Sequence, residues 1–366
     1  MKAKLEDVCD KGTSNIRLSD VAGKSGKYPI YGASGYIGNV DFYQQENPYV
    51  AVVKDGAGIG RAILCPSKSS VIGTLQYLIP KNNILAEYLF YVISNMHLER
   101  YYSGATIPHI YFRDYKKETF NVHSMDEQKK FIGIFNHVEK MIELRKKEIL
   151  LFDELIKSRF VDVFGDPEFN DKGWKEEILG KLCNVGSSKR IYQNEQTNKG
   201  VPFLRISDLT NRIDTGSCSC DLYISETRYE ELKRQELVPE QGDILMTTRG
   251  TLGKCYIIQP NDRFYFQDGM ITWLSKFSEK ISNQYISYLF SMNGFRKQIN
   301  NMQAGSTVAY LSISKTKKLK IMIPPIEMQK QFNDFVHRID KSRMAVQKSL
   351  DELEILKKSL LQEYFG

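Results

Sequence analysis

The sequence predicts an α+β protein with a pseudo-two-fold internal repeat, in which two globular segments alternate with two long helices. Three observations lead to this prediction. Residues 124–165 match residues 325–366 at a constant shift of 201 residues. Both segments carry apolar residues at a heptad period. The stretches before them contain short apolar runs between glycine, proline and charged turns, which is typical of strands.

The repeat divides the chain into four segments. It extends upstream of the helices, where small gaps accumulate. Matched pairs include Gly60 with Gly253, Tyr88 with Tyr285, Gln128 with Gln329, and Phe164 with Phe365. The predicted parts are a first globular domain at 1–123, a first spacer helix at 124–165, a second globular domain at 166–325 and a second spacer helix at 326–366.

Each spacer helix carries an apolar seam that needs a partner. Neither helix contains a proline, and Pro324-Pro325 precedes the second one. The other helix is the nearest candidate partner, so we expect the two to pair as a coiled coil, each a rod of roughly 60 Å. The residues predicted to form the seam are Phe131, Val138, Ile149, Phe152, Ile156, Phe332, Ile339, Val346, Leu350 and Leu353.

The globular segments combine predicted strands with a helix-like stretch in each copy. Apolar runs that predict strands lie at 49–53, 62–65, 75–79, 243–248, 255–258 and 270–274. The helix-like stretches are 86–95 and 286–302.

Composition excludes several classes of protein. A chain with 42% hydrophobic and 26% charged residues is neither disordered nor collagen-like. No stretch approaches the roughly 20 apolar residues of a membrane-spanning helix, and the first residues lack the apolar core of a signal peptide. We expect a cytoplasmic protein whose six scattered cysteines are reduced thiols.

The net charge of +7 is unevenly distributed. Segment 1–123 has 14 basic and 11 acidic residues, and segment 166–325 has 22 basic and 18 acidic residues. Both helices are neutral, with 8 of each sign in 124–165 and 7 of each in 326–366. Two basic domains joined by neutral helices fit a polyanionic ligand that is contacted at both ends.

The candidate catalytic motifs lack the neighbouring residues that their chemistry requires. The glycine loop at 55–62 is followed by a predicted strand and not by the helix that a nucleotide site needs, so it predicts a glycine turn between strands. The stretch 46–50 has only one proline of the Asn-Pro-Pro-Tyr loop of amino-methyltransferases. No histidine has a metal-ligand spacing to Cys, Asp or Glu. We expect no catalytic or metal-binding residue.

The remaining interpretation is recognition of DNA. Arginine forms paired hydrogen bonds with guanine, while hydroxyl and backbone N–H groups hold phosphates. In the second copy such groups lie in predicted loops at 187–190, 204–209 and 247–254. The candidate contacts are Lys54, Arg61, His109, Tyr111, Arg113, Ser188-Lys189-Arg190, Arg205, Thr247, Thr248, Arg249 and Lys254.

Several local pieces carry a resemblance to a known family. They are Gly305-Ser306-Thr307 leading through KKLKIMIPPIEMQKQF to the second helix, the RGTLGK turn at 249–254, and WKEEILGKLCNVGSS at the start of the second domain. With the full-length repeat, the chain resembles the specificity (S) subunit of a Type I DNA restriction-modification system. The first copy departs from the pattern, since His123-Ser124 replaces Pro324-Pro325 and no segment corresponds to the Trp174-containing lead.

The resemblance implies a non-catalytic subunit. Each globular segment would be a target recognition domain that reads one half of a split site in double-stranded DNA. The helices would pair antiparallel, set the spacing between the half-sites and dock two modification (methyltransferase) subunits. Restriction/translocase subunits would complete the enzyme. This chain would bind no cofactor, and S-adenosylmethionine, ATP and magnesium would belong to the partner subunits. The alternatives are a protein-binding coiled-coil scaffold without DNA specificity and a self-contained methyltransferase.

Overall fold

The structure, a computed structural model, describes residues 2–104, 108–217, 220–302 and 310–366. The chain forms two compact units. Unit 1 contains residues 1–148 and 346–366, and unit 2 contains residues 149–345. Each long helix therefore contributes residues to both units.

Unit 1 is built around an antiparallel four-stranded sheet. Its helices are α1 (Leu5–Val8), α2 (Leu18–Val21), α3 (Ala86–Asn95) and α4 (Phe112–Tyr115), followed by the first part of α5 (Met125–Phe164). Its strands are β1 (Lys2–Lys4), β2 (Cys9–Thr13), β3 (Tyr28–Gly32), β4 (Gly35–Val40), β5 (Tyr49–Val53), β6 (Ala62–Cys65), β7 (Ser70–Val71), β8 (Leu75–Pro80) and β9 (Thr119–Asn121).

The order of the strands in unit 1 places β5 at the centre. The larger sheet has the order β2-β8-β5-β6, and a smaller sheet has the order β4-β3-β7, with β3 and β7 parallel. All five residues of β5 are buried, because this run of β-branched and aromatic residues has apolar neighbours on both faces. Helix α3 buries Tyr88, Leu89 and Val92 against one of these faces.

Unit 2 has the same plan. Its strands are β10 (Glu176–Ile178), β11 (Asn184–Gly186), β12 (Gln196–Thr197), β13 (Val201–Leu204), β14 (Tyr223–Ile224), β15 (Ile244–Thr247), β16 (Cys255–Ile257), β17 (Tyr265–Phe266), β18 (Ile271–Ser275) and β19 (Lys320–Met322). Its helices are α6 (Ile206–Thr215), α7 (Glu226–Arg234), α8 (Asn283–Ser291), α9 (Asn293–Asn301) and α10 (Ile313–Lys317), with the first part of α11 (Ile326–Phe365).

Strand pairing confirms the internal repeat. The sheet order β11-β18-β15-β16 reproduces β2-β8-β5-β6, and the pair β10-β19 reproduces β1-β9. The parallel pair β13-β17 corresponds to β3-β7. All six apolar runs predicted as strands are strands, namely β5, β6, β8, β15, β16 and β18. The α+β class is therefore confirmed.

The helix-like stretch at 286–302 is not one helix. It belongs to two helices, α8 and α9, which meet at Met292, whose extended backbone (φ −72°, ψ 136°) ends the first of them. In α9, a Cβ on Gly294 would lie 2.4 Å from the Asp166 side chain and 2.8 Å from the Glu168 backbone nitrogen. Glycine is needed there because the segment after α5 packs directly on the start of α9.

The long helices pair antiparallel in each unit. They run from Met125 to Phe164 and from Ile326 to Phe365, and each end lies within one residue of the predicted bounds. In unit 1, Phe131 stacks on Tyr364 with ring centroids 4.2 Å apart, and Glu139 pairs with Lys357 at 2.6 Å. In unit 2, the Asp153–Arg343 pair at 2.6 Å and the Phe160–Phe332 ring contact show that the helices are antiparallel in this unit as well.

The residues of the predicted seam differ in burial. Val138, Ile156, Phe332, Leu350 and Leu353 are buried, whereas Phe131, Ile149, Phe152, Ile339 and Val346 are half-buried. The heptad pattern misses Phe160, Phe164 and Phe365, all at least nine-tenths buried. These three lie near the helix ends, where each helix packs into a globular core as well as on its partner. Ile156, Phe160 and Phe164 are spaced by four residues, which places them on one side of the helix.

Candidate nucleic-acid interface

A glycine loop leaves the central strand of unit 1 and returns to it. Lys54, directly after β5, donates its N–H to the Thr74 carbonyl at 3.0 Å. Its carbonyl accepts the N–H of the fully buried Ile110 at 2.9 Å. The Gly60 N–H donates to the Val53 carbonyl at 2.8 Å and closes the loop. Residues 54–60 are thereby held against the segment around residue 109.

The loop depends on glycine at one close approach. Gly60 has φ +81°, and a Cβ there would lie 2.5 Å from the Glu99 backbone nitrogen. Strand β6 follows, as expected for a glycine turn between strands. The anion-binding helix N-terminus of a nucleotide site is therefore missing at this loop.

Four of the five candidates in the first domain lie together. Asp55 hydrogen-bonds His109, and Lys54 lies 3.9 Å from the Asp55 carboxylate. The His109 ring centroid is 4.0 Å from that of Tyr111, and the Arg113 guanidinium lies 4.6 Å from the Tyr111 ring centroid. The side chains form a continuous row that mixes charge with aromatic surface, a combination suited to contacts with bases and phosphates.

Arg61 lies at the other end of the loop. Its side chain is exposed, and a Cβ on Gly58 would come within 2.3 Å of one of its terminal nitrogens. The guanidinium therefore lies over the loop backbone, beside Gly58. Among the described residues, the contacts that form the row of Lys54, His109, Tyr111 and Arg113 do not include Arg61.

Unit 2 repeats this loop with the same backbone hydrogen bonds. The Thr248 N–H donates to the Met270 carbonyl at 3.0 Å, and the Thr248 carbonyl accepts the N–H of the buried Leu311 at 3.0 Å. The Gly253 N–H donates to the Thr247 carbonyl at 2.8 Å. The loop at 248–253 is thus the counterpart of the loop at 54–60.

The structure does not place Thr247 and Thr248 at the surface, contrary to their prediction as DNA contacts. Both are buried, at 0% and 2% exposure. The Thr247 hydroxyl donates to the Thr251 carbonyl at 2.5 Å and accepts the Lys254 N–H at 3.1 Å. This hydroxyl therefore shapes the loop from inside.

Three other cations of the second domain have carboxylate partners. Lys254 binds Asp214 at 2.5 Å, and Arg205 binds Asp208 at 3.1 Å. Arg190 pairs with Asp268 at 2.9 Å, and this hydrogen bond raises the pKa of the arginine. These side chains would need to rearrange or share their charge to contact a phosphate.

Arg249 is exposed and lines an open cavity. The cavity, of about 390 Å³, is also lined by Arg190, Gln267 and Asp268. Lys189 is exposed, and it lies between Ser188, which is buried, and Arg190, which is exposed. The structure thus brings together the 187–190 stretch and the 248–253 loop, whereas Arg205 and Lys254 do not line this cavity.

Comparison with known proteins decides the family. The sequence model described as Type I restriction modification DNA specificity domain matches residues 1–151 and 171–354. The chain belongs to this family. As a specificity subunit it is a non-catalytic component that recognises DNA sequence, and catalysis lies in partner subunits.

Two relatives agree with the assignment. A Haemophilus influenzae protein named as a type I restriction enzyme specificity subunit is 22% identical over 89% of this chain and 83% of its own length. The MjaIX specificity subunit of Methanocaldococcus jannaschii is 24% identical, covering 83% of this chain and 74% of the relative.

Solved structures share the fold of this specificity subunit. The S subunit of a type I restriction-modification system from M. genitalium covers all of this chain and 96% of its own, with a TM-score of 0.60 and 16% identity. A chain from a study of complex assembly and conformational transition of the type I R-M system also gives a TM-score of 0.60, at 14% identity, covering 100% of this chain and 97% of its own.

Sequence reasoning missed the acidic and amide side chains that lie beside the candidate residues. Asp55 could have been predicted from the sequence, because it is adjacent to Lys54 in a loop already matched to the second copy. Gln267 and Asp268 carried no such signal, since they reach the cavity only through the fold. The Gly305-Ser306-Thr307 stretch lies outside the described residues.

The cysteines of the specificity subunit are free thiols, with Cys218 outside the described residues. Burial raises the pKa of both Cys9 and Cys183 to about 12. Over the described ranges there is no group of three or more His, Cys, Asp or Glu residues that could hold a metal ion. In the same ranges, no helix is sufficiently long and apolar to cross a bilayer.

Proposed function

We propose that the chain recognises a split DNA site, with each globular domain reading one half, and that it directs partner modification and restriction subunits to that site. The observation that carries the proposal is the recurrence of one loop in both units. Each loop leaves the central strand, is fastened to a buried residue, Ile110 or Leu311, and presents polar side chains beside it. Two equivalent loops suit two half-sites.

The charge distribution supports contact with the DNA backbone in both halves. The globular segments carry +3 and +4, and the helices are neutral. Exposed Arg113 and Lys189 are suited to phosphates, which supply most of the affinity. The side chains next to the loops are suited to base edges, which supply the sequence preference.

The long helices would dock two methyltransferase subunits. Several apolar side chains of α5 remain exposed although the helix already has a partner. They are Met141 and Leu144 in unit 1, and Leu150, Leu151 and Leu155 in unit 2. Such residues are suited to further helix packing. Restriction subunits would join this assembly in the cytoplasm, and S-adenosylmethionine, ATP and magnesium would be bound by the partners.

Methylome sequencing of a host with and without this gene tests the proposal. We expect a split motif of two short half-sites to lose its methylation when the gene is deleted. Reintroducing the gene should restore the same motif. If no split motif changes, the proposed function is wrong.

Binding to duplex DNA at several salt concentrations separates the proposal from a protein-binding scaffold. Several phosphate contacts require the logarithm of the binding constant to fall linearly, with a slope of about −0.9 per contact, against the logarithm of salt concentration. A flat response would favour the scaffold. Failure of the isolated chain to bind S-adenosylmethionine would separately exclude a self-contained methyltransferase.

A further inference from the structure

Asp55 and Arg249 occupy equivalent positions in the two units. Asp55 directly follows Lys54, whose carbonyl accepts the N–H of the buried Ile110. Arg249 directly follows Thr248, whose carbonyl accepts the N–H of the buried Leu311. Each also forms an isolated antiparallel bridge, Asp55 with His109 and Arg249 with Tyr310. His109 and Tyr310 are themselves 201 residues apart, the spacing of the repeat. Equivalent backbone positions therefore carry an acidic side chain in the first domain and a basic side chain in the second.

Their surroundings suit hydrogen bonding with a ligand. The Asp55 side chain is 29% exposed. One carboxylate oxygen is hydrogen-bonded to His109, and the Lys54 ammonium lies 3.9 Å from the other oxygen. An ionised carboxylate has about four acceptor positions, so acceptor capacity remains. Arg249 is exposed at the rim of the cavity that Gln267 and Asp268 also line.

The two side chains have opposite hydrogen-bonding character. A carboxylate only accepts hydrogen bonds and matches the amino group of cytosine N4 or adenine N6 in the major groove. A guanidinium only donates and matches guanine O6 and N7. The same backbone position can thus distinguish different bases in the two domains.

We propose that Asp55 and Arg249 are corresponding specificity-determining residues, and that they read bases of opposite character in the two half-sites. The first domain takes a base that carries an amino group, cytosine or adenine, and the second takes guanine. This inference rests on the proposed function. His109 holds the Asp55 carboxylate in place through its hydrogen bond and acts as a positioning residue.

The test measures base preference in each half-site separately. The full-length chain, assembled with its modification subunits, selects from two duplex libraries, each with one half-site randomised and the other kept. Asp55→Asn should change the preference at one position of the first half-site by about tenfold, and Arg249→Lys should reduce guanine preference at one position of the second by about tenfold. Lysine keeps the charge but replaces the planar guanidinium fork with a single ammonium group, which weakens a paired contact with guanine and preserves a phosphate contact.

Matched controls lie at the opposite ends of the same sheets. In unit 1, Val53, which precedes the loop, pairs with Leu75 at the start of β8. Asp10 pairs with Ile79 near the other end of β8, so it lies away from the loop. Lys276 follows β18 at the end away from Ile271, the partner of Thr247. Asp10→Asn and Lys276→Ala should leave both preferences unchanged.

The outcomes separate the inference from the function on which it rests. If the wild-type complex selects a split site and neither Asp55→Asn nor Arg249→Lys alters a base preference, the inference is wrong and the proposed function stands. A wild-type complex that selects no split site overturns both. Uniform weakening over all sequences would identify phosphate contacts and would also overturn the inference.

Discussion

Gln128 and Gln329 make the same three hydrogen bonds at the starts of the two long helices. Both are fully buried. The Gln128 amide accepts the Leu85 N–H at 2.9 Å and donates to two carbonyls at 3.0 Å. The Gln329 amide accepts the Ser282 N–H at 2.8 Å and donates to two carbonyls at 2.9 Å. Each glutamine thereby fastens a long helix to the start of the helix that packs beside it.

Replacing Gln329 with alanine should destabilise the protein. The change leaves the Ser282 N–H and the Lys280 and Pro324 carbonyls without these partners inside the protein. We expect a loss of about 1–3 kcal/mol for each group that stays unpaired, measured by urea unfolding. Gln347→Ala, at an exposed position of the same helix, should change the free energy of unfolding by less than about 0.5 kcal/mol. Equal effects of the two substitutions would contradict this role.

Replacing Phe164 with alanine should open a cavity in unit 2. The ring is fully buried and lies 4.9 Å from the Tyr285 ring and 5.3 Å from the Phe332 ring. We expect a loss of about 3–5 kcal/mol in the free energy of unfolding. Val161→Ala, on the exposed side of the same helix, is the control and should have little effect. A loss below about 1 kcal/mol for Phe164→Ala would show that the helix end is not part of the core.

Replacing Arg249 with alanine should relax specificity at one base position. If the side chain reads guanine, discrimination at that base falls by about 1–3 kcal/mol while other positions keep their preference. Binding to single-substitution duplexes measures the effect, with Arg234→Ala on α7 as a control. Uniform weakening for all sequences would instead make Arg249 a phosphate contact.

Inserting four residues near Arg145 in α5 should change the spacer between the half-sites. The insertion adds about one helical turn, or roughly 6 Å, to one of the paired helices. It would also move Lys146 away from Glu354, its partner at 3.0 Å. Methylome sequencing should report the original half-sites at a new spacing. New half-site bases at the original spacing would contradict the role of the helices as spacers.

Cys9 and Cys183 should resist thiol reagents in the folded protein. Both are buried, and their pKa is raised to about 12, so little thiolate forms at about pH 8. Labelling should be slow before unfolding and fast after it, as followed by mass spectrometry. Burial raises the pKa of the Cys9 thiol from 9.0 to about 12. The contribution of this thiol to the free energy of unfolding is therefore present below pH 9.0 and is lost as the pH rises towards 12. Rapid labelling of the folded protein at both sites would contradict their burial.

Local patterns account for what was predictable from the sequence. Heptad spacing and the absence of proline located both long helices, and apolar runs between turns located the central strands. These signals depend on residues close together in the chain. The break at Met292 was not predicted, because the turn between α8 and α9 is stabilised by packing of Gly294 against the segment after α5.

The sequence by itself determined the repeat, the family resemblance and the concentration of positive charge in the globular segments. The tertiary structure alone decided that Thr247 is inside its loop, that Phe164 and Phe365 reach into globular cores, and that Asp55 and Arg249 correspond. The physical reason is that burial and hydrogen bonding join residues far apart in the chain. Asp55 and His109 meet only because separate segments are fastened to the same strand end.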